Sequence, residues 1–177
     1  IIHFNSKDSM DIGGLGDMMV RKFYALGYLS DIPGIYRLPF NSIRNLEGFG
    51  EKSVTNLEAA VAASKMQPLH RLIYGLGIRY VGEATAKVLA QRVNHLLDYT
   101  RFSLEQLQEL EDVGPKVAAS IYDFFHNSQN VQMLEQLEAM GLQLKNEKKQ
   151  LPLGGGLVGQ SFLFTGTLHK LKRSEAE

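Results

Sequence analysis

Apolar residues fall at fixed distances after a glycine, four times along the chain. Gly16, Gly50, Gly82 and Gly114 are followed at the fourth position by Val20, Val54, Ala86 and Ala118, and at the seventh by Phe23, Leu57, Leu89 and Ile121. Offsets of four and seven place side chains on one face of a helix. Just before each glycine stands another apolar residue, Leu15, Phe49, Val81 or Val113. Three positions earlier comes one more, Ile12, Leu46, Ile78 or Leu110. The four glycines are 34, 32 and 32 residues apart. Each unit therefore reads as a short helix, a tight turn and a second helix that buries one stripe.

The same pattern predicts the organisation around the units. Residues 1–10 lead into the first unit, whose second helix runs to about Leu26 and stops at Gly27. Residues 28–40, with Pro33, Gly34 and Pro39, read as an irregular connector. The second unit spans 41–64, with its long helix over 51–64. Pro68 opens the first helix of the third unit, since proline suits a first turn, and the second covers 83–91. Ser103, with Gln106 three residues on, is a capping box for the first helix of the fourth unit. Pro115 opens the second, which runs to about 125. A further amphipathic helix covers about 131–139 and stops at Gly141. From Lys145 the composition changes to a charged run, then Gly154-Gly155-Gly156, which suits a flexible linker. Residues 161–165 read as a strand. The expected fold is mainly α: a lead-in over 1–10, a compact helical domain over 11–144, a linker over 145–159 and a truncated α/β segment over 160–177. Ile1 in place of Met, and a helix-like start at 173–177, read as marks of a piece of a longer chain.

The turns suggest a chemistry. Glycine supports positive φ and lets another backbone approach closely. The last glycine of each turn stands where a helix starts, so the next N–H groups lack intrahelical partners. Those donors and the positive end of the helix dipole favour an anion, and successive exposed N–H groups form a nest. The first glycine of the turn is present as Gly14 and Gly48 but replaced by Tyr80 and Asp112. Turns one and two are therefore expected to suit a phosphate best, while Glu111 and Asp112 would repel one. A period near 33 also suits helical-hairpin solenoids, though these lack a paired-glycine turn and their Trp, Tyr and Pro signature is missing. The candidate donors are backbone N–H groups around Gly14, Gly16, Gly48, Gly50, Tyr80, Gly82 and Gly114. Side-chain candidates are Lys52 and Lys116, each two residues after its last glycine, Arg79 in the third turn and Lys87 further along the same helix. A solvated surface cation is the alternative for these four. Met10, Met18 and Met19 are expected in the core, and Tyr74 and Tyr80 as packed surface aromatics, with stacking on sugars or bases as the alternative for the two tyrosines.

Composition adds limits. The chain has 177 residues, 44% of them hydrophobic, and no cysteine, which excludes a disulfide framework and thiolate metal sites within it. Its five histidines are scattered without ligand spacing, and no run reaches the roughly 20 apolar residues of a membrane span. With 19 Lys and Arg against 19 Asp and Glu, the net charge is zero, which weighs against a nucleic-acid partner. The charge is uneven, however. Residues 1–95 carry 11 basic and 8 acidic residues, 96–140 carry 2 and 8, and 141–177 carry 6 and 3. The first three units are mildly basic and the fourth acidic, and backbone donors add nothing to formal charge.

The repeated unit resembles the helix-hairpin-helix motif of DNA-binding proteins that do not read sequence. The run from Ile2 to Gly16, with Leu46-Glu47-Gly48-Phe49-Gly50-Glu51-Lys52-Ser53 and Leu76-Gly77-Ile78-Arg79-Tyr80-Val81-Gly82-Glu83, is similar to bacterial NAD-dependent DNA ligases. Phe162-Leu163-Phe164-Thr165-Gly166-Thr167-Leu168 is similar to the start of their C-terminal BRCT domain. The resemblance implies four tandem helix-hairpin-helix units and the start of a BRCT domain. It also implies a parent enzyme that seals nicks in duplex DNA during replication and repair. In that enzyme NAD adenylates a lysine, AMP passes to the 5′-phosphate, and the ends join with magnesium. The adenylation, OB and zinc-binding domains would precede this chain, so NAD, magnesium and zinc are implied for the parent and no cofactor for these residues. No lysine here lies in the Lys-x-Asp-Gly setting of the nucleophile, so the chain alone is expected to be inactive. The implied partner is nicked duplex DNA, with no membrane, in the bacterial cytoplasm with the nucleoid. A repair or junction-binding module with the same motif, or a helical protein-interaction scaffold, are the alternative readings.

Overall fold

The computed structural model describes residues 1–146. The linker from residue 147 onward and the expected α/β segment over 160–177 lie outside the described residues. Nine α-helices follow in order: α1 Asp17–Ala25, α2 Ile32–Ile35, α3 Phe40–Arg44, α4 Glu51–Ser64, α5 Leu69–Gly75, α6 Glu83–Arg92, α7 Leu104–Gln108, α8 Pro115–His126 and α9 Ser128–Ala139. A 3-10 segment, Leu96–Arg101, lies between α6 and α7. The described residues are thus mainly helical, with three helix-turn-helix pairs, α3/α4, α5/α6 and α7/α8, and a turn before α1.

The repeated apolar offsets all face inward. Val20, Val54, Ala86 and Ala118 are buried, and so are Phe23, Leu57, Leu89 and Ile121. Burying side chains such as Phe23 or Leu89 contributes about 1.5–3 kcal/mol each relative to exposure. The methionines divide. Met10 is buried and Met19 packs against the core, but Met18 is 81% exposed. The expectation of a core role for Met18 fails because Val20 and Phe23 fix the inner face of α1. At about 100° per residue, Met18 falls on the opposite side.

The first unit has no helix before its turn. Residues 1–16 form consecutive turns, with Asn5 donating to the Ile1 carbonyl, Ser9 to Ser6 and Met10 to Phe4. Asn5, Ser6, Asp8 and Ser9 favour such local bonding over a helical ladder. This lead-in is packed. Phe4, Met10 and Ser9 are buried, the His3 ring meets Tyr74 edge-on at 4.8 Å, and Arg71 donates to the Lys7 carbonyl. Residues 3–9 therefore sit against α5.

The 28–40 connector contains a helical turn, α2. Asp31 caps it, its Oδ1 accepting the Gly34 N–H at 2.6 Å, and Pro33 falls in the first turn, where no N–H is needed. Tyr36 then hydrogen-bonds Ser64 at 3.1 Å, and burial pushes its phenol up to about 12. The 3-10 segment is set by an unusual cap. His95 Nδ1 accepts the Leu97 N–H and Asp98 reaches back to the His95 N–H. Its Tyr99 packs on Phe125 at 5.1 Å and donates to the Leu89 carbonyl at 2.8 Å, which joins the third and fourth units. Burial raises that phenol as well. The helix expected over 131–139 starts earlier, at Ser128, because Asn127 caps it through the Gln129 N–H.

The last described residues close the body. Gln143 donates to the Lys65 carbonyl, Leu96 to Leu144, and Asn146 to Asn94. His95 Nε2 meets Glu138 at 2.8 Å. The Leu97 N–H occupies Nδ1, so Nε2 carries the proton towards Glu138.

Candidate nucleic-acid interface

All four turns share one backbone. A bond closes each across four residues, from Leu15 to Ile12, Phe49 to Leu46, Val81 to Ile78 and Val113 to Leu110. The third residue of each is left-handed: Gly14 and Gly48 at φ +85°, Tyr80 at +65° and Asp112 at +59°. This is where type II turns favour glycine. Turns three and four thus keep the backbone of turns one and two although the first glycine is replaced. Tyr80 and Asp112 are bent into the conformation that Gly14 and Gly48 adopt without strain.

The last glycine behaves otherwise. Gly16, Gly50, Gly82 and Gly114 are helix N-caps with ordinary extended backbone, φ between −73° and −88°. A Cβ on any of them would meet nothing within 4 Å. Among the described residues, neither conformation nor packing requires glycine there. Each carbonyl accepts the first helical bond, from Val20, Val54, Ala86 and Ala118, while the glycine N–H groups find no backbone acceptor among the described residues.

Capping separates these glycine-started helices from α2, α7 and α9, but not from α3 and α5, which begin after Pro39 and Pro68 and also lack a side-chain cap. Helices α1, α4, α6 and α8 have no side-chain cap. Helices α2, α7 and α9 and the 3-10 segment are capped by Asp31, Ser103, Asn127 and His95. Ser, Thr, Asp and Asn are the preferred caps and satisfy an orphan donor. The four hairpin helices leave theirs open.

Turns one and two stand side by side. Gly14, Met19, Lys22, Gly48, Phe49 and Ser53 line a cleft between them. The Lys22 ammonium lies 4.7 Å from the centre of the Phe49 ring, and Phe49 stacks on Phe23 at 5.8 Å. Lys22 could not be found from the sequence, because its neighbours belong to the next unit and no local spacing marks it. Asn5 was also missed. It is buried, and its Nδ2 donates to the Leu15 carbonyl of turn one at 3.3 Å.

The charged candidates divide. Lys52 and Lys116 are exposed at the second position of α4 and α8, as their spacing predicts. Arg79 is exposed and its guanidinium lies 4.8 Å from the Tyr80 ring centre. Lys87 is engaged: its Nζ meets Glu83 Oε1 at 2.7 Å. That hydrogen bond holds the Glu83 carboxyl below its ordinary range. Lys87 also borders a cleft with Pro68 and His70. Desolvation, then the charges of Lys87 and Arg71, lower the His70 imidazole. Asp17 is paired with Arg21 at 2.9 Å in the same way, so two acidic first-turn residues are offset one turn on.

Two comparisons bear on this geometry. Residues 71–134, the third and fourth hairpins, match a family model described as a helix-hairpin-helix motif. Along its whole length the chain is 54% identical to a DNA ligase of Sulfurihydrogenibium azorense and 51% identical to one of Persephonella marina. It is 44% identical over 99% of its length to a DNA ligase of Aquifex aeolicus. The chain covers 25%, 25% and 24% of these relatives, so it spans about a quarter of their length. The repeated turn geometry, the motif match and the homology along the chain together identify it as a helix-hairpin-helix segment related to bacterial DNA ligases.

Proposed function

We propose that this chain is the part of an NAD-dependent DNA ligase that grips nicked duplex DNA without reading its sequence. The observation that carries the reading is the set of four glycine N-caps that neither the backbone nor the interior requires. A side chain at Gly16, Gly50, Gly82 or Gly114 would occupy open space beside unpaired N–H groups. Its absence lets a phosphate oxygen reach them, where the helix dipole adds to the attraction. Lys22, Lys52, Arg79 and Lys116 supply charge around the turns. Contacts of this kind go to the backbone of the duplex and fix position, not sequence. The pairing of turns one and two would let neighbouring hairpins hold successive phosphates.

Nick sealing itself would be carried by the rest of such an enzyme. Among the described residues there is no group of three His, Cys, Asp or Glu that could hold a metal ion; the zinc and magnesium implied for such an enzyme are assigned to its other parts. No chemical step is assigned to these residues. Among the described residues, no helix is long and apolar enough to cross a membrane.

The test uses serine, which accepts the extended backbone of an N-cap and supplies the missing cap. Gly16→Ser with Gly50→Ser should keep or slightly raise the melting temperature, because glycine is a weaker cap than serine by a few tenths of a kcal/mol. It should lower affinity for nicked duplex by about tenfold or more in a mobility-shift titration, since each charge-assisted bond is worth about 1.5–3 kcal/mol. Unchanged binding by the double variant would sink the reading. A wild-type chain that binds no DNA would instead favour a protein scaffold, and a marked preference for four-way junctions a junction-binding module.

A further inference from the structure

Turn three carries a side chain where turns one and two carry none. Tyr80 occupies the left-handed position at φ +65°. A bulky residue seldom takes that conformation, whereas Asp112, its counterpart in turn four, has a short polar side chain that tolerates it. Strain of this kind persists where something else uses it. The interior does not: Tyr80 is 53% exposed. Its one aromatic or cation contact among the described residues is Arg79, whose guanidinium lies 4.8 Å from the ring centre. The ring stands two residues before Gly82, whose uncapped helix is a proposed phosphate site. A flat amphipathic face, backed by a cation and beside a phosphate site, matches a nucleotide.

We infer that Tyr80, with Arg79 stacked on it, forms a plate on the third hairpin that packs against the apolar face of a nucleotide in the bound DNA. The inference rests on the DNA-binding reading of the hairpins. Stacking on an aromatic ring is tolerant of sequence because every base has a π-face, so the plate adds grip without selectivity. Arg79 keeps its charge within reach of the adjoining phosphate while it stacks. The face in contact is a base or a deoxyribose. A base face is open in single strands and at a strand break, and the sugar face in all DNA.

The 177-residue chain with Tyr80→Asn or Tyr80→Phe separates the outcomes. Asparagine adopts left-handed backbone readily, so Tyr80→Asn should melt no lower than wild type. It should bind about tenfold more weakly, in the range set by loss of one stacked ring. The salt dependence should be unchanged, since the ring carries no charge. Tyr80→Phe should stay within about twofold of wild type, because the stacking face remains. Titrations with nicked duplex, continuous duplex and single strand identify the face. An equal loss on all three means the sugar, and a larger loss on nicked and single-stranded DNA means the base. Wild-type affinity in Tyr80→Asn overturns the plate, and so does a markedly lower melting temperature, which would make the ring a packing element. If the wild-type chain binds none of the three DNAs, the DNA reading falls, and the plate with it.

Discussion

Gly75 ends α5 where a Cβ would lie 3.3 Å from both Phe4 Cδ2 and Ser9 Cβ. Both neighbours are fully buried and cannot give way. Gly75→Val should therefore destabilise the domain by about 2 kcal/mol or more through overpacking, read as a shift in denaturant midpoint. An unchanged midpoint would mean that the lead-in does not pack there. The hairpin glycines are the opposite case, since a Cβ on Gly50 meets nothing. The repeat spacing marked the hairpin glycines in the sequence, whereas Gly75 stands outside it and only its packing against Phe4 and Ser9 sets it apart. The repeat aligned Tyr80 and Asp112 with Gly14 and Gly48, yet composition alone could not say that the backbone would hold the same bend. Met18 was misplaced for a related reason: residue type suggests burial, and only the helical phase set by Val20 and Phe23 decides the face.

At the scale of elements, caps account for most of what was legible. Ser103 and Gln106 form the reciprocal pair that their spacing predicts, at 3.3 and 2.9 Å. Ser103→Ala should cost about 1 kcal/mol, a melting shift of roughly 2–5 °C in a domain of this size. A thermal melt matching wild type would show that α7 is held by packing alone. The second helices of the units were also legible, because one glycine and two apolar offsets define each. The missed elements are those with quieter signals. The one turn of α2 lies in a stretch whose Pro and Gly read as breakers, and the 3-10 segment is capped by a histidine, which is not a usual N-cap. The absence of a helix before turn one reflects side chains that bond locally instead of facing a common stripe.

At the scale of the molecule, a net charge of zero combines a mildly basic first part with an acidic fourth unit. Lys22, Lys52, Arg79 and Lys116 would neutralise at most four phosphates, while backbone donors neutralise none. The slope of log affinity against log salt should therefore not exceed about 3–4 in magnitude, at about 0.9 per phosphate. A steeper slope from titrations at several salt concentrations would show that cations outside this set dominate.

The cleft beside α5 and α6 has a mechanical meaning. It has two lobes that share Pro68, His70 and Lys87; Asp8, from the lead-in, lines one and Asn146, from the closing strap, lines the other. The described body thus begins and ends on the same side of its third unit. Termini that lie near each other let a module be inserted into a longer chain or permuted. Tension between whatever flanks this body would pass across α5, α6 and the Asn94–Asn146 tie, and would reach turn one through the Asn5–Leu15 bond.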